Sequence, residues 1–314
     1  MNKELFKGIL FVGLGAAVYG MLATFVKLAY QDGYTTAEVT SSQFFIGLIG
    51  LLFLNILQSV RKKTYPIKPS GSDGWKLLLI GTSLGCTSLF YYLSVVYLNV
   101  SIAIILLMQS VWISVVVESI IARKLPTTRK ILATLLVLTG TVFATNAFNI
   151  EITFDWRGVL WGILAACSFS TTMYASNRIA NYLPALTKSF IMLCGGAIVI
   201  FCFAFFSQIG PYYFEFMRDT STLVDSLKKY DYSILWTYGL FLAVFGTILP
   251  PIFFNLGFPK TGLGLGSIIS SIELPVSVLM AYILLNETIL GIQWFGIGLI
   301  LLAVIWMNIS GSKE

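Results

Sequence analysis

The sequence predicts an all-α integral membrane protein of ten transmembrane helices, arranged as two inverted five-helix repeats. Three observations carry that expectation. The 314 residues are 57% hydrophobic and 11% charged, with a mean hydropathy of +0.86; soluble proteins carry roughly 25% charged residues, so this chain cannot clothe a water-facing surface. Its apolar runs reach about 20 residues, the length that crosses a bilayer core as a helix. Its second half resembles its first across five intervening spans, an odd number that sets the two copies in opposite orientations.

Apolar runs bounded by charges or turn residues place spans at 8–29, 38–59, 75–97, 100–122, 128–147, 157–179, 184–207, 233–257, 261–285 and 290–309. The first follows Lys7 and continues to Tyr30. It is too long for the apolar stretch of a signal peptide and is expected as a retained helix. Gaps after odd-numbered spans, such as Asp32–Ala37, Leu98–Asn99 and Asn286–Ile289, are almost free of positive charge. The alternate gaps hold Arg61, Lys62, Lys63, Lys68, Arg123, Lys124, Arg129, Lys130, Arg178 and Lys260. About 15 of the 20 basic residues fall on one side, leaving Lys27, Arg157, Arg218, Lys228 and Lys229 on the other. The positive-inside rule then puts both termini in the cytoplasm. The net charge of +6 reports topology, and no nucleic-acid partner is expected. One connection is long, about Gln208 to Tyr232. It is expected as a solvated outer loop in which Phe214–Leu227 could form a short surface helix.

No histidine occurs, which removes Ser-His catalysis, His-ligated haem and most zinc sites. Cys86, Cys167, Cys194 and Cys202 lie in apolar spans without metal-ligand spacing and read as small core residues. A G-x-x-x-x-G-K-[ST] loop is absent, so ATP is not the direct energy source. The expectation is a chain without metal, cofactor or enzymatic chemistry.

The internal repeat is explicit. Gly8-Ile9-Leu10-Phe11 with Ala16 resembles Gly158-Val159-Leu160-Trp161 with Ala166, and Leu98–Gly140 lines up with Thr261–Ala303. In that register Trp112 falls opposite Pro275, Ser110 opposite Glu273 and Lys124 opposite Glu287. The repeats divide as residues 1–147 and 148–314. Inverted repeats of this kind mark secondary transporters, with substrate bound where the repeats meet.

Glu273 is the one charge in the stretch Gly262–Asn286 and falls near its centre. A carboxylate at that depth costs on the order of 2.5–3.5 kcal/mol and faces a bundle interior or wet cavity. It can bind an amine, carry a coupling proton, or hydrogen-bond a neighbouring helix. Pro275 lies two residues on and loosens the helix beside the charge. Gly262, Gly264, Gly266, Ser267, Ser270 and Ser271 permit close helix contact or leave room for a ligand. Gln109, Ser110 and Trp112 lie mid-span in the fourth helix, at the depth of Glu273 if the halves pack symmetrically. Gln109 and Trp112 are therefore candidates for cavity lining, with Tyr19 and Tyr92 beside them and Tyr174 and Asn177 of similar standing. Glu118 reads as an interface residue near Arg123, and Lys27 as snorkelling outward or bridging within the cavity. Pro250 and Pro251 remove two backbone donors, so a kink is expected there, with a hinge role in alternating access.

These features resemble the drug/metabolite transporter superfamily, EamA type, over essentially the whole chain. The resemblance rests on the two similar halves, on Gly8 with Ala16-Ala17-Val18-Tyr19-Gly20, and on Pro275 with Asn286-Glu287-Thr288 before the last helix. It implies ten helices, a central cavity between the halves, and transport of small metabolites, often amino acids or related compounds leaving the cell, across a bacterial inner membrane. Three positions depart from the family pattern: Gln43 stands near a usual arginine, Trp112 and Lys124 replace the proline and acid in the first half, and Asn286 replaces the glycine before Glu287. No basic midplane cluster of the phosphate-antiporting kind is visible. The expected partners are a small-molecule substrate and the lipid bilayer, the chain acting as a monomer or homodimer. Flipping of a lipid or lipid-linked sugar is the alternative activity.

Overall fold

A computed structural model describes residues 3–62, 69–98, 100–146, 155–220, 228–285 and 288–310, and among these every regular element is helical. The first half contains α1 (Lys3–Gln31), α2 (Thr36–Lys62), α3 (Gly71–Tyr97), α4 (Val100–Met108), α5 (Ser110–Ala122) and α6 (Thr128–Ala144). The second contains α7 (Trp156–Arg178), α8 (Ala185–Ala204), α9 (Gly210–Tyr213), α10 (Ile234–Thr237), α11 (Gly239–Leu242), α12 (Leu249–Thr261), α13 (Leu263–Ser270), α14 (Glu273–Leu285) and α15 (Gly291–Ser310). Eight stretches are long and apolar enough to cross a membrane, and Gly291–Met307 is a shorter apolar helix. Helix α6, the fifth expected span, has only 17 residues.

The two halves repeat in register. Helix α5 begins at 110 and ends at 122, α14 at 273 and 285; α6 begins at 128 and α15 at 291. Each boundary lies 163 residues after its counterpart (273 − 110, 285 − 122, 291 − 128). The packing is reciprocal as well. Helix α1 lies against α12 and against α13 and α14, while α7 lies against α3 and against α4 and α5. Helix α3 pairs with α8, as α2 pairs with the segment around α11, and α6 pairs with α15. Glycines make the tightest of these contacts possible. A Cβ at Gly81 or Gly85 of α3 would overlap the backbone of Met192 or Gly196 in α8, the close approach that small residues allow between helices in lipid.

Two expected spans are interrupted near their middle, and the expected span 233–257 breaks near its start, at Tyr238 between α10 and α11. The run 261–285 breaks at Ser271–Ile272 between α13 and α14, and the run 100–122 breaks at Gln109 between α4 and α5. Pro275 explains the first break, since it cannot donate to the Ser271 carbonyl, which accepts instead from the Leu274 amide at 3.2 Å. The second break has no proline. The Gln109 side-chain amide donates to the Ile105 carbonyl at 2.9 Å, and its own backbone N–H turns to the Leu106 carbonyl at 3.1 Å. The side chain competes for the acceptor that an α-turn would use.

The kink expected at Pro250-Pro251 takes another form. The helix widens into a π-turn over Ala243–Ile248, where the Leu249 amide reaches back to Val244, and α12 restarts with both prolines in its first turn. The missing donors are absorbed by the wider turn. The cysteines also differ from expectation. Cys167 and Cys202 are exposed on the outside of the bundle, where lipid would meet them.

The long connection is not a simple solvated loop. A 3-10 helix spans Glu215–Thr220; residues 221–227, which complete the expected surface helix, lie outside the described residues. The chain from Lys228 onward is clasped to the start of α2 by Glu38, a fully buried carboxylate. Thr35 and Glu38 exchange bonds, Thr35 N–H to Oε2 at 2.8 Å and Glu38 N–H to the Thr35 hydroxyl at 3.1 Å, which is a capping box. The carboxylate also accepts from Gln208 Nε2 at 2.9 Å, from the Asp231 amide at 2.8 Å and from Lys228 Nζ at 3.1 Å. Further links join the same parts: Tyr230 with Ser41, and Tyr34 with Ser233, each at 2.7 Å.

Candidate functional site

Glu273 opens α14 at the break and lines a cavity in the middle of the bundle. One carboxylate oxygen, Oε2, is enclosed and has no hydrogen-bond partner. Buried polar atoms are ordinarily paired, so this orphan acceptor marks the cavity. The serines of α13 and the adjoining turn do not supply a partner. The hydroxyls of Ser267, Ser270 and Ser271 donate to the carbonyls of Gly264, Ser267 and Ile268, each three residues back. The small residues of this stretch are buried and serve helix contact.

The facing wall is aromatic. Tyr19, Tyr91 and Tyr92 all line the cavity. Tyr19 stacks on Phe169 at 5.8 Å. Tyr92 is 2% exposed and donates to Gln43 Oε1 at 3.3 Å. Gln43 itself is fully buried, and its Nε2 is a second orphan. The cavity continues both ways. Thr87, Ser88 and Tyr19 also line a smaller space of about 330 Å³ that reaches Pro250 and Pro251. Ala23, Leu274 and Ser277 also line one of about 680 Å³ that reaches Lys27, Thr288 and Gln293. Val12, Ala16, Leu107, Met108, Phe254 and Phe258 pack into the main apolar core, with Tyr19 against it.

The structure thus brings Glu273, Tyr19 and Tyr92 together and sets Pro250, Pro251 and Pro275 around them. It does not bring Gln109 or Trp112 to the cavity. Trp112 is 43% exposed on the outer face, and its indole N–H donates to Gln109 Oε1 at 2.9 Å. The reason is helical phase. Ser110 does face inward, fully buried, as its equivalence with Glu273 requires. Two residues on, at about 100° per residue, Trp112 points the opposite way. Asn177 donates to the Phe258 carbonyl at 2.7 Å, and Tyr174 packs against the main core. Glu118 pairs with Lys130 across the α5–α6 turn, not with Arg123. Glu287 lies outside the described residues.

Sequence reasoning passed over three polar residues. Tyr91 shares the cavity wall, but α3 gives no phase by which to choose among its tyrosines. Glu38 was legible as the end of Thr35-Thr36-Ala37-Glu38 before an apolar run, a capping-box signature. Lys188 is 1% exposed; its ammonium donates to the Ser176 carbonyl and to Asn181 Oδ1, each at 2.9 Å. Ser176 lies in the last turn of α7, where carbonyls lack helical partners and the dipole favours a cation.

Comparison with known proteins supplies the remaining finding. A family model described as the EamA-like transporter family matches residues 6–146 and 156–309. A protein crystal structure shares the fold with a TM-score of 0.72 at 14% identity, covering 98% of this chain and 99% of the other. No curated protein matches the chain.

Proposed function

The chain belongs to the EamA-like transporter family, and from that premise we propose that it is a secondary transporter that moves a small organic metabolite, an amino acid or related compound, by alternating access. In this reading ten spans form two inverted repeats, residues 1–147 and 148–314, in a bacterial cytoplasmic membrane with both termini inside. Physiological transport is export, coupled to protons through Glu273. The observation that carries the reading is Glu273 itself, which lines a cavity between the halves and keeps one buried oxygen without a partner. Broken helices at the repeat interface are where secondary transporters bind their cargo. Glu273, Tyr19 and Tyr92 form the binding wall. Pro250, Pro251 and Pro275 form the hinge, because each lies where a helix has already surrendered its regular bonding.

The test is uptake by reconstituted liposomes of a metabolite panel, with and without a pH gradient, comparing wild type with Glu273→Gln after equal insertion is verified. Saturable gradient-driven uptake that the substitution abolishes, while exchange down a substrate gradient survives, assigns Glu273 to the proton. Loss of binding as well assigns it to the substrate. Full activity in Glu273→Gln overturns the assignment, and lipid scrambling by wild type without solute uptake replaces transport with flipping.

A further inference from the structure

We propose that the transport path has a second mouth, closed in this structure, where α5, α6, α7 and α13 converge, and that Glu118 with Lys130 latches it. This rests on the alternating-access reading and adds the place of the opposite opening. Superposing the repeats in register locates the mouth. A step of 163 residues carries α4, α5 and α6 onto α13, α14 and α15. The leading helices follow a step of 150 (158 − 8): Gly8 packs on Lys260 and Thr261, and Gly158 packs on their counterparts Tyr97 and Leu98 (260 − 97, 261 − 98). The space beyond Glu273 is lined by Ala23 of α1, Ile104 of α4, Ser277 and Ala281 of α14, and Gln293 of α15. Their counterparts in the other half are Met173, Ser267, Ser114, Glu118 and Lys130. Those positions are shut. Met173, Ser114 and Ser267 are buried; the Ser114 hydroxyl meets that of Ser170 at 2.9 Å, and the Ser267 hydroxyl lies 3.4 Å from the Val111 carbonyl of α5. Helix α13 lies against α5, α6 and α7, whereas α4, α14, α15 and α1 bound an open space. Repeats that exchange conformations exchange these mouths.

The latch joins the halves at the end of the shut side. Lys130 pairs with Glu118, both from the first half, and the Glu118 carboxylate bears on Gly262 and Gly264 of the second. A Cβ at position 264 would overlap Oε2. These glycines flank Leu263, the first residue of α13. Amides there lack helical acceptors and the dipole is positive, so a carboxylate is held. Lys130 keeps it in place, and α13 cannot swing clear without giving up that contact. At the open mouth the same two positions are Ala281 and Gln293, which form no ion pair. Only one of the two mouths therefore carries this charged latch, and it biases the resting protein toward the state seen here.

The test is thiol labelling of the full chain in right-side-out and inverted membrane vesicles, with the four native cysteines replaced by alanine and one reporter added, Ser277→Cys or its counterpart Ser114→Cys. The probe is the impermeant reagent MTSET. With the latch intact, Ser277→Cys reacts from one face and Ser114→Cys from neither. Glu118→Gln removes the charge, and Gly264→Ala unseats the carboxylate by volume; both are first checked for wild-type insertion and monodisperse elution. Each is expected to speed labelling of Ser114→Cys about tenfold, from the opposite face, and to slow that of Ser277→Cys by a similar factor. The reciprocal change separates a latch from local loosening, which would expose Ser114→Cys and leave Ser277→Cys as it was. Exposure without that reciprocal protection, or no change in either variant, overturns the inference. If wild type still shows gradient-driven uptake, the transporter reading stands and only the second mouth is misplaced. Failure of both labelling and uptake overturns both.

Discussion

Gly20 abuts the backbone carbonyl of Glu273, so closely that a Cβ at position 20 would overlap that oxygen. The glycine in α1 therefore fixes how near the broken turn of the other half can come. Gly20→Ala is expected to push the Glu273 turn out of place and cost about 1–3 kcal/mol through overpacking. Thermal unfolding of the purified variant reads the cost, and transport should fall further than stability alone accounts for. Wild-type transport in Gly20→Ala would mean that the turn has slack.

The Glu38 carboxylate accepts from four different donors, Thr35, Gln208, Lys228 and Asp231. Its amide analogue would bring an NH₂ group against those donors, so Glu38→Gln is expected to be nearly as harmful as Glu38→Ala, each costing about 2 kcal/mol or more. Proteolysis of the 208–232 connection should quicken in both variants. A Glu38→Gln protein as stable as wild type would contradict the all-acceptor role.

Lys188 offers a contrast of charge with volume. Lys188→Met keeps the stem and removes the buried charge along with its two hydrogen bonds, and the folded protein should survive. Lys188→Glu would place a negative charge against the carbonyl end of α7, an uncompensated burial worth about 3–5 kcal/mol. Monodisperse elution from a size-exclusion column is expected for the first variant and not for the second.

The clasp at the α1–α2 turn should have a pH window. Asp231 is held below the usual carboxylate range by its bonds from Ser233 and by nearby Lys228. Its contribution is present above the ordinary value near 3.8 and is lost as pH falls through the depressed one. Tyr238 donates to Asp32 at 2.6 Å, and that bond, with some burial, pushes its hydroxyl up to about 12. Its contribution is full below the ordinary value of 10 and is lost as pH rises through about 12. Asp231→Asn should flatten the acid limb of the unfolding profile and Tyr238→Phe the alkaline limb, each leaving the other intact.

Much of this architecture was legible because apolar runs and their repeat are one-dimensional signals. The register that set Ser110 opposite Glu273 reappears in the helix boundaries. Glu273 stood out because a lone charge in a long apolar run has few explanations. Side-chain direction was not legible in the same way. A span that is apolar on nearly every side carries little phase of its own, and only the register with Glu273, read through the helical step of about 100° per residue, separates Ser110 on the inner face from Trp112 on the outer one. The Gln109 break was hidden too, since it comes from a side chain competing for a carbonyl and not from a proline. Glu38 and Lys188 sit near span ends, where a charge reads as topology; the Glu38 partner Gln208 is distant in the chain, while Lys188 reaches Ser176 and Asn181 across the turn before α8.

The twofold frame meets single chemistry at its centre. Ser110 and Glu273 occupy matching places after matching breaks, and only one of them is an acid. The repeat supplies two equivalent halves, but the cavity they enclose has one acidic side chain among its described residues. A pore lined by rings of charge can hold several ions in file; a chamber with one carboxylate neutralises a single positive charge at a time. On the proposed reading, the asymmetry of the two halves sets the stoichiometry, one positive charge at a time on the Glu273 carboxylate.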